Sequence, residues 1–90
     1  MLLRHAIGAT LRRIRLDRSL TLRVVADDAS ISMPYLSEIE RGRKEASSEI
    51  LAVICGALGM TVLDLLREVT AEANVVELAP RPEPAIKLAA

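Results

Sequence analysis

A chain of 90 residues that is 51% hydrophobic, with Tyr35 as its sole aromatic, suits one small domain with an aliphatic core. Its one cysteine, Cys55, excludes an intrachain disulfide; no apolar run nears the roughly 20 residues of a membrane span, and Met1 to Gly8, broken by Arg4 and His5, is too short for a secretory signal, so a reducing, cytoplasmic setting is expected. Zero net charge conceals a division: residues 1–44 hold nine Lys/Arg against five Asp/Glu, and residues 45–90 hold three against seven, so the N-terminal half suits a polyanion unless its charges are simply solvated.

The first predicted helix runs through "IGATLRRIRLDR", where Ile7, Leu11 and Ile14 recur at helical spacing with arginines on the far side. After a break at Ser19, Thr21 can cap a second helix, "LRVVADDA", with Val25, Ala26 and Ala29 inward. Ser30 and Ile31 turn into a third. Ser32 can cap it, Pro34 sits in the first turn where its missing N–H costs little, and Gly42 closes it. Leu36, Ile39 and Tyr35 have the spacing to face a core, leaving Met33, Pro34, Ser37, Glu38 and Arg41 on other faces. Past a basic loop, Ser47 or Ser48 starts a fourth helix with Leu51, Ile54, Cys55 and Leu58 inward and Gly59 as its stop. Thr61 and Asp64 form a capping-box-like start to a fifth, "VLDLLREV". Beyond Val69, "TAEANVVEL" extends this helix, forms a short sixth or pairs with a second subunit, and Pro80, Pro82 and Pro84 make the end extended.

The second and third helices share a pattern. With Leu22 as the first place, Val25, Ile31, Leu36 and Ile39 fall at the fourth, tenth, fifteenth and eighteenth, and the small Ala26 at the fifth. Two short helices joined steeply by a tight turn need a small side chain at their crossing and shared apolar residues around it, which is the helix-turn-helix arrangement. Its second helix is the one that can enter a major groove, with N-terminal residues on base edges.

With these residues in place, "IGATLRRIRLDRSLTLRVVADDASISMPYLSEIERGRK" followed by "ICGALGMTVLDLL" resembles the Cro/phage-repressor type of helix-turn-helix domain, the XRE family, over about residues 7–66. The resemblance implies an all-α, five-helix, lambda-repressor-like DNA-binding domain at 7–66, its helix-turn-helix at about 22–41, with a dimerisation segment at 67–79 and a tail at 80–90. Within the family the chain is most like the actinobacterial regulators of Clp protease genes. That implies a transcriptional activator with RNA polymerase as a further partner; a phage-type repressor, an antitoxin-like autorepressor and a protein-interaction module without DNA binding are the alternatives. Four positions depart from the family pattern. Leu22 stands where a phosphate-gripping Gln is usual, Ser30 replaces the turn Gly, Ala46 a common Pro and Ser48 a common Leu.

Carried over position by position, Met33, Pro34 and Glu38 fall where the family faces bases: Met33 toward a thymine methyl and Glu38 accepting from cytosine N4, or else as an ordinary helix start and a solvated acid. Tyr35 is counted with this DNA-facing set despite its core spacing. Ser32 and Ser37 suit phosphate, Ser32 alternatively only a cap, and Arg23 can take over the contact that Leu22 lacks. Arg41, Arg43 and Lys44 are expected along the sugar-phosphate backbone, where each neutralised phosphate contributes roughly −0.9 to the logarithmic salt slope. In the family an Arg at the place of Arg15 pairs with the Glu of "IERG", so Arg15 and Glu40 are expected as a structural salt bridge.

No metal-ligand spacing, glycine-rich phosphate loop, nucleophile elbow or paired-carboxylate arrangement occurs, and such helices leave no room for a substrate pocket; a non-enzyme without cofactor or metal is expected, with His5 solvated and Cys55 in the core. One short helix-turn-helix reads too few bases, so a homodimer on a palindromic operator is expected, recognition helices roughly 34 Å apart. Val62, Leu63, Leu66, Val69, Val75, Val76 and Leu78 exceed what a terminal helix needs for its own core and point to the shared interface, unless Val75 to Leu78 folds back on its own domain. The end, Leu88, Ala89 and Ala90, resembles the signals by which Clp proteases take substrates, which makes the protease a candidate partner through the tail; a frayed terminus is the alternative.

Overall fold

The computed structural model of the chain describes residues 2–73, as five helices: α1 Leu3–Asp17, α2 Leu22–Ala29, α3 Met33–Glu40, α4 Ser48–Ala57 and α5 Val62–Ala73. Four of the five start on a hydroxyl that accepts an otherwise orphaned amide. Thr21 Oγ1 accepts from the Val24 N–H at 3.1 Å, Ser32 Oγ from Tyr35 at 3.1 Å and Ser47 Oγ from Ile50 at 3.2 Å. At α5 the box is reciprocal: the Asp64 N–H donates to Thr61 Oγ1 and the Thr61 N–H to Asp64 Oδ2, both at 3.0 Å. The Thr61 N–H first, and then the Thr61 side chain, hold the Asp64 carboxyl below its ordinary pKa.

The turn of the helix-turn-helix is closed by Ser30 in the left-handed region, φ 59 and ψ 41, where the Ile31 N–H returns to the Ala26 carbonyl at 3.0 Å. α3 ends in a Schellman pair: Gly42, at φ 75, donates to the Ile39 carbonyl at 3.0 Å and Arg43 to that of Glu38 at 2.9 Å.

α1 begins a turn before the apolar period that marks it in the sequence. It starts at Leu3 with no side-chain cap, the His5 and Ala6 amides bonding to the Leu2 carbonyl at 3.0 and 3.2 Å. Contact with α3 makes up for the missing cap: Ala6 and Gly8 are buried, and a Cβ on Gly8 would run into the carbonyl oxygens of Ile39 and Glu40.

α1 packs on α3 and α5, α2 on α3 and α4, and α4 on α5. The core between them is aliphatic. Leu11, Val25, Ala26, Leu36, Ile39, Ile54 and Leu65 are fully buried, and Ala26 lies beside the close α2–α3 connection, where its small side chain is required. Cys55 belongs to this core, and burial, with a smaller push from the Asp64 charge, raises its thiol pKa. Among the described residues no single helix is long and apolar enough to cross a membrane. Val75, Val76, Leu78 and the Leu88–Ala90 end lie outside the described residues.

Candidate nucleic-acid interface

α3 has a buried back held rigidly against α1. Leu36 and Ile39 enter the core, and Gly8 lets the two backbones meet. Beside that crossing Arg15 grips Glu40 with two bonds, Nε to Oε2 at 2.8 Å and Nη2 to Oε1 at 3.1 Å, in side chains only 11% and 6% exposed. The Glu40 hydrogen bond raises the Arg15 pKa further, so the guanidinium stays charged. Its Nη1 also donates to the Leu20 carbonyl at 2.9 Å, tying the α1–α2 turn to the same group. At the end of α3, Arg4 Nε donates to the Gly42 carbonyl at 2.9 Å.

With its back fixed, α3 offers a stripe to solvent. Pro34, Ser37, Glu38 and Arg41 recur at intervals of three and four residues and therefore share a side. Pro34 and Arg41 are exposed and Ser37 and Glu38 half-exposed; Arg43 and Lys44 on the following loop are exposed, as is Arg23 on α2. Met33, expected on a free face, instead folds its flexible thioether half-buried against the core, and Tyr35 packs there too, as its spacing indicated, rather than with the outward set. Ser32 Oγ serves as the α3 cap, which leaves its O–H to donate elsewhere.

The apolar residues of α5 divide by helical period. Val69, expected at an interface, is 3% exposed and belongs to the core of this domain, and Val62 is half-buried against that core; Leu63 and Leu66, at 57% and 43%, face outward. The sequence also left no room for a pocket, yet an open cleft of about 340 Å³ lies between α1, α4, α5 and the loop after α3. Its walls are aliphatic, including Leu3, Ile7, Leu51 and Leu66. At its rim Arg4 pairs with Glu45 at 3.6 Å. Among the described residues no three His, Cys, Asp or Glu side chains gather in a way that could hold a metal ion.

Two contributors to this region were missed in the sequence. Arg4 and His5 reach the α3–α4 loop across 38 and 37 positions of chain, and no local spacing signals a contact of that range.

A helix-turn-helix domain family matches residues 6–69. The chain is 56% identical over 57 residues to the transcriptional regulator ClgR of Mycobacterium tuberculosis, a match covering 63% of this chain and 51% of that one, so the chain spans about half the length of that relative. Over 59 residues it is 48% identical to the HTH-type transcriptional regulator DdrOP3 of Deinococcus deserti, with 66% of this chain and 46% of that one covered. The crystal structure of the clp gene regulator ClgR from Corynebacterium glutamicum matches with a TM-score of 0.80 and 51% identity over 83% of this chain and 80% of that chain. A capped turn between α2 and α3, a small residue at their crossing and these matches together place the chain in the XRE-type helix-turn-helix family of transcriptional regulators.

Proposed function

We propose that the chain binds double-stranded DNA sequence-specifically, as a homodimer on palindromic operators, and activates the transcription of Clp protease genes. The observation that carries this reading is the seating of α3. A helix locked from behind by Gly8 and the Arg15–Glu40 pair, with Pro34, Ser37, Glu38 and Arg41 outward and Arg43 and Lys44 following, has the form of a reading helix with a phosphate-contacting loop. Ser32 and Arg23 flank it as further phosphate donors. The Clp assignment is supported by likeness to the clp gene regulator of Corynebacterium glutamicum.

Self-association is supported by the outward Leu63 and Leu66. Leu66 and the exposed Leu3 line the same cleft, so the apolar side of α5 continues onto the start of α1, and an apolar surface of this kind marks an interface. Val75, Val76 and Leu78 prolong the apolar set in sequence.

The test is selection from a pool of random duplexes, with the binding constant of the selected sequence measured over a salt series. The expected result is a palindrome with half-sites about one helical turn apart and affinity that falls with salt at roughly −0.9 per neutralised phosphate. Weak, salt-insensitive binding without a motif would favour a protein-interaction module instead.

A further inference from the structure

The loop after α3 is held from outside. Gly42 is buried although it lies in a loop, because the Cα and ring of His5 stand where a Cβ at residue 42 would be. One residue earlier in α1, Arg4 Nε bonds the Gly42 carbonyl at 2.9 Å, and Arg4 Nη1 lies 3.6 Å from Glu45 Oε2. The first turn of α1 thus grips the loop at both ends, with the two exposed cations Arg43 and Lys44 between the grips. A carbonyl fixed by a donor fixes the plane of its peptide, and with it the place of the next Cα, from which the Arg43 side chain departs.

We infer that Arg4 is a positioning residue for DNA binding: through the Gly42 carbonyl it presets the loop so that Arg43 and Lys44 meet the phosphate backbone without first having to be ordered. The inference rests on the reading of α3 as the DNA-facing helix. Its physical content is preorganisation, since a loop already in its bound shape loses less conformational freedom on association.

Two substitutions isolate the bond. Arg4→Gln carries its amide nitrogen at the same distance along the side chain as the arginine Nε, so the donor is kept and the charge lost. Arg4→Met has the same reach with neither. Both variants lose the exposed Glu45 pair, which contributes little, and both have the same net charge, so a difference between them reports the hydrogen bond rather than electrostatic steering.

The probes are the duplex recovered by selection and an unrelated duplex of equal length, with the full chain. Arg4→Gln is expected within about twofold of the wild type, and Arg4→Met about 5- to 10-fold weaker on both duplexes with an unchanged salt slope. In an Arg43→Ala, Lys44→Ala background the difference between the two should vanish. Equal losses with a slope shallower by about 0.9 would make Arg4 itself a phosphate contact and overturn the inference, as would wild-type affinity in both variants. If Arg4→Met melts below the assay temperature, Arg4→Lys replaces it: the charge is kept, the donor moves one atom outward, and the inference requires Gln to bind more tightly than Lys. Amide exchange at Arg43 and Lys44 in the free protein is expected to be faster in the Met or Lys variant than in the Gln variant; equal rates reject the clamp without any DNA. Failure of the DNA reading looks different, because the wild-type chain then binds neither duplex.

Discussion

At the level of single residues, Arg15 has the largest structural task, since one guanidinium joins α1, the carbonyl of Leu20 and the carboxylate of Glu40. Glu40→Ala leaves that cation buried without its partner and is expected to cost about 3–5 kcal/mol in urea unfolding, whereas Arg15→Met combined with Glu40→Leu should cost far less than the two single changes summed. Ser30 is a smaller case with the opposite sign. Its left-handed backbone carries a Cβ penalty that glycine lacks, so Ser30→Gly should stabilise the fold by about 0.5–1 kcal/mol, read as a rise in urea midpoint at constant slope. The need for a left-handed residue there was legible from the family pattern. The Arg15–Glu40 pair was legible too, through the family resemblance, and the structure forms it; the added bond to the Leu20 carbonyl was not, because no side-chain pattern marks a backbone acceptor.

Among the helices, starts were more legible than contacts. Thr21, Ser32, Ser47 and the Thr61–Asp64 box mark the starts of α2 to α5 because a cap is a bond within four residues of chain. The α5 box has a definite pH signature. Since the Asp64 carboxyl titrates below its unfolded value, its contribution to stability is complete above the ordinary carboxylate range and is lost as the pH falls through the lower, folded pKa. The gap in melting temperature between the wild type and Asp64→Ala should therefore be widest near neutrality, begin to narrow below about pH 4, and close only below the folded pKa. The start of α1 carries no such marker, and it depends on packing against α3 at Gly8. Gly8→Ala would push a methyl group into the Ile39 and Glu40 carbonyls; a loss of about 1–3 kcal/mol is expected, together with weaker DNA binding as α3 shifts.

For the whole molecule, the arrangement of α5 decides how much apolar surface remains for a partner. Val69 turns inward, Val62 lies half-buried against the core, and Leu63 and Leu66 face outward, so of the seven apolar residues that looked alike in sequence the four described ones divide between a core and a free face. Leu63→Glu combined with Leu66→Glu should convert a dimer to a monomer in sedimentation equilibrium and weaken binding to a full palindrome while sparing an isolated half-site. Helix content should be unchanged, because both positions are solvent-exposed. A species that remains dimeric would move the interface elsewhere.

The sequence by itself determined the order of the helices, their capped starts, the aliphatic core and the small residue at the α2–α3 crossing, because each depends on periodicity or on bonds between near neighbours. Only the tertiary structure decided that Met33 leans on the core, that Val69 is inside, and that Arg4 and His5 hold the loop after α3. Those outcomes depend on how separate helices pack, as at Gly8, where the absence of a single Cβ sets how closely α1 approaches α3, and no local pattern encodes such distances.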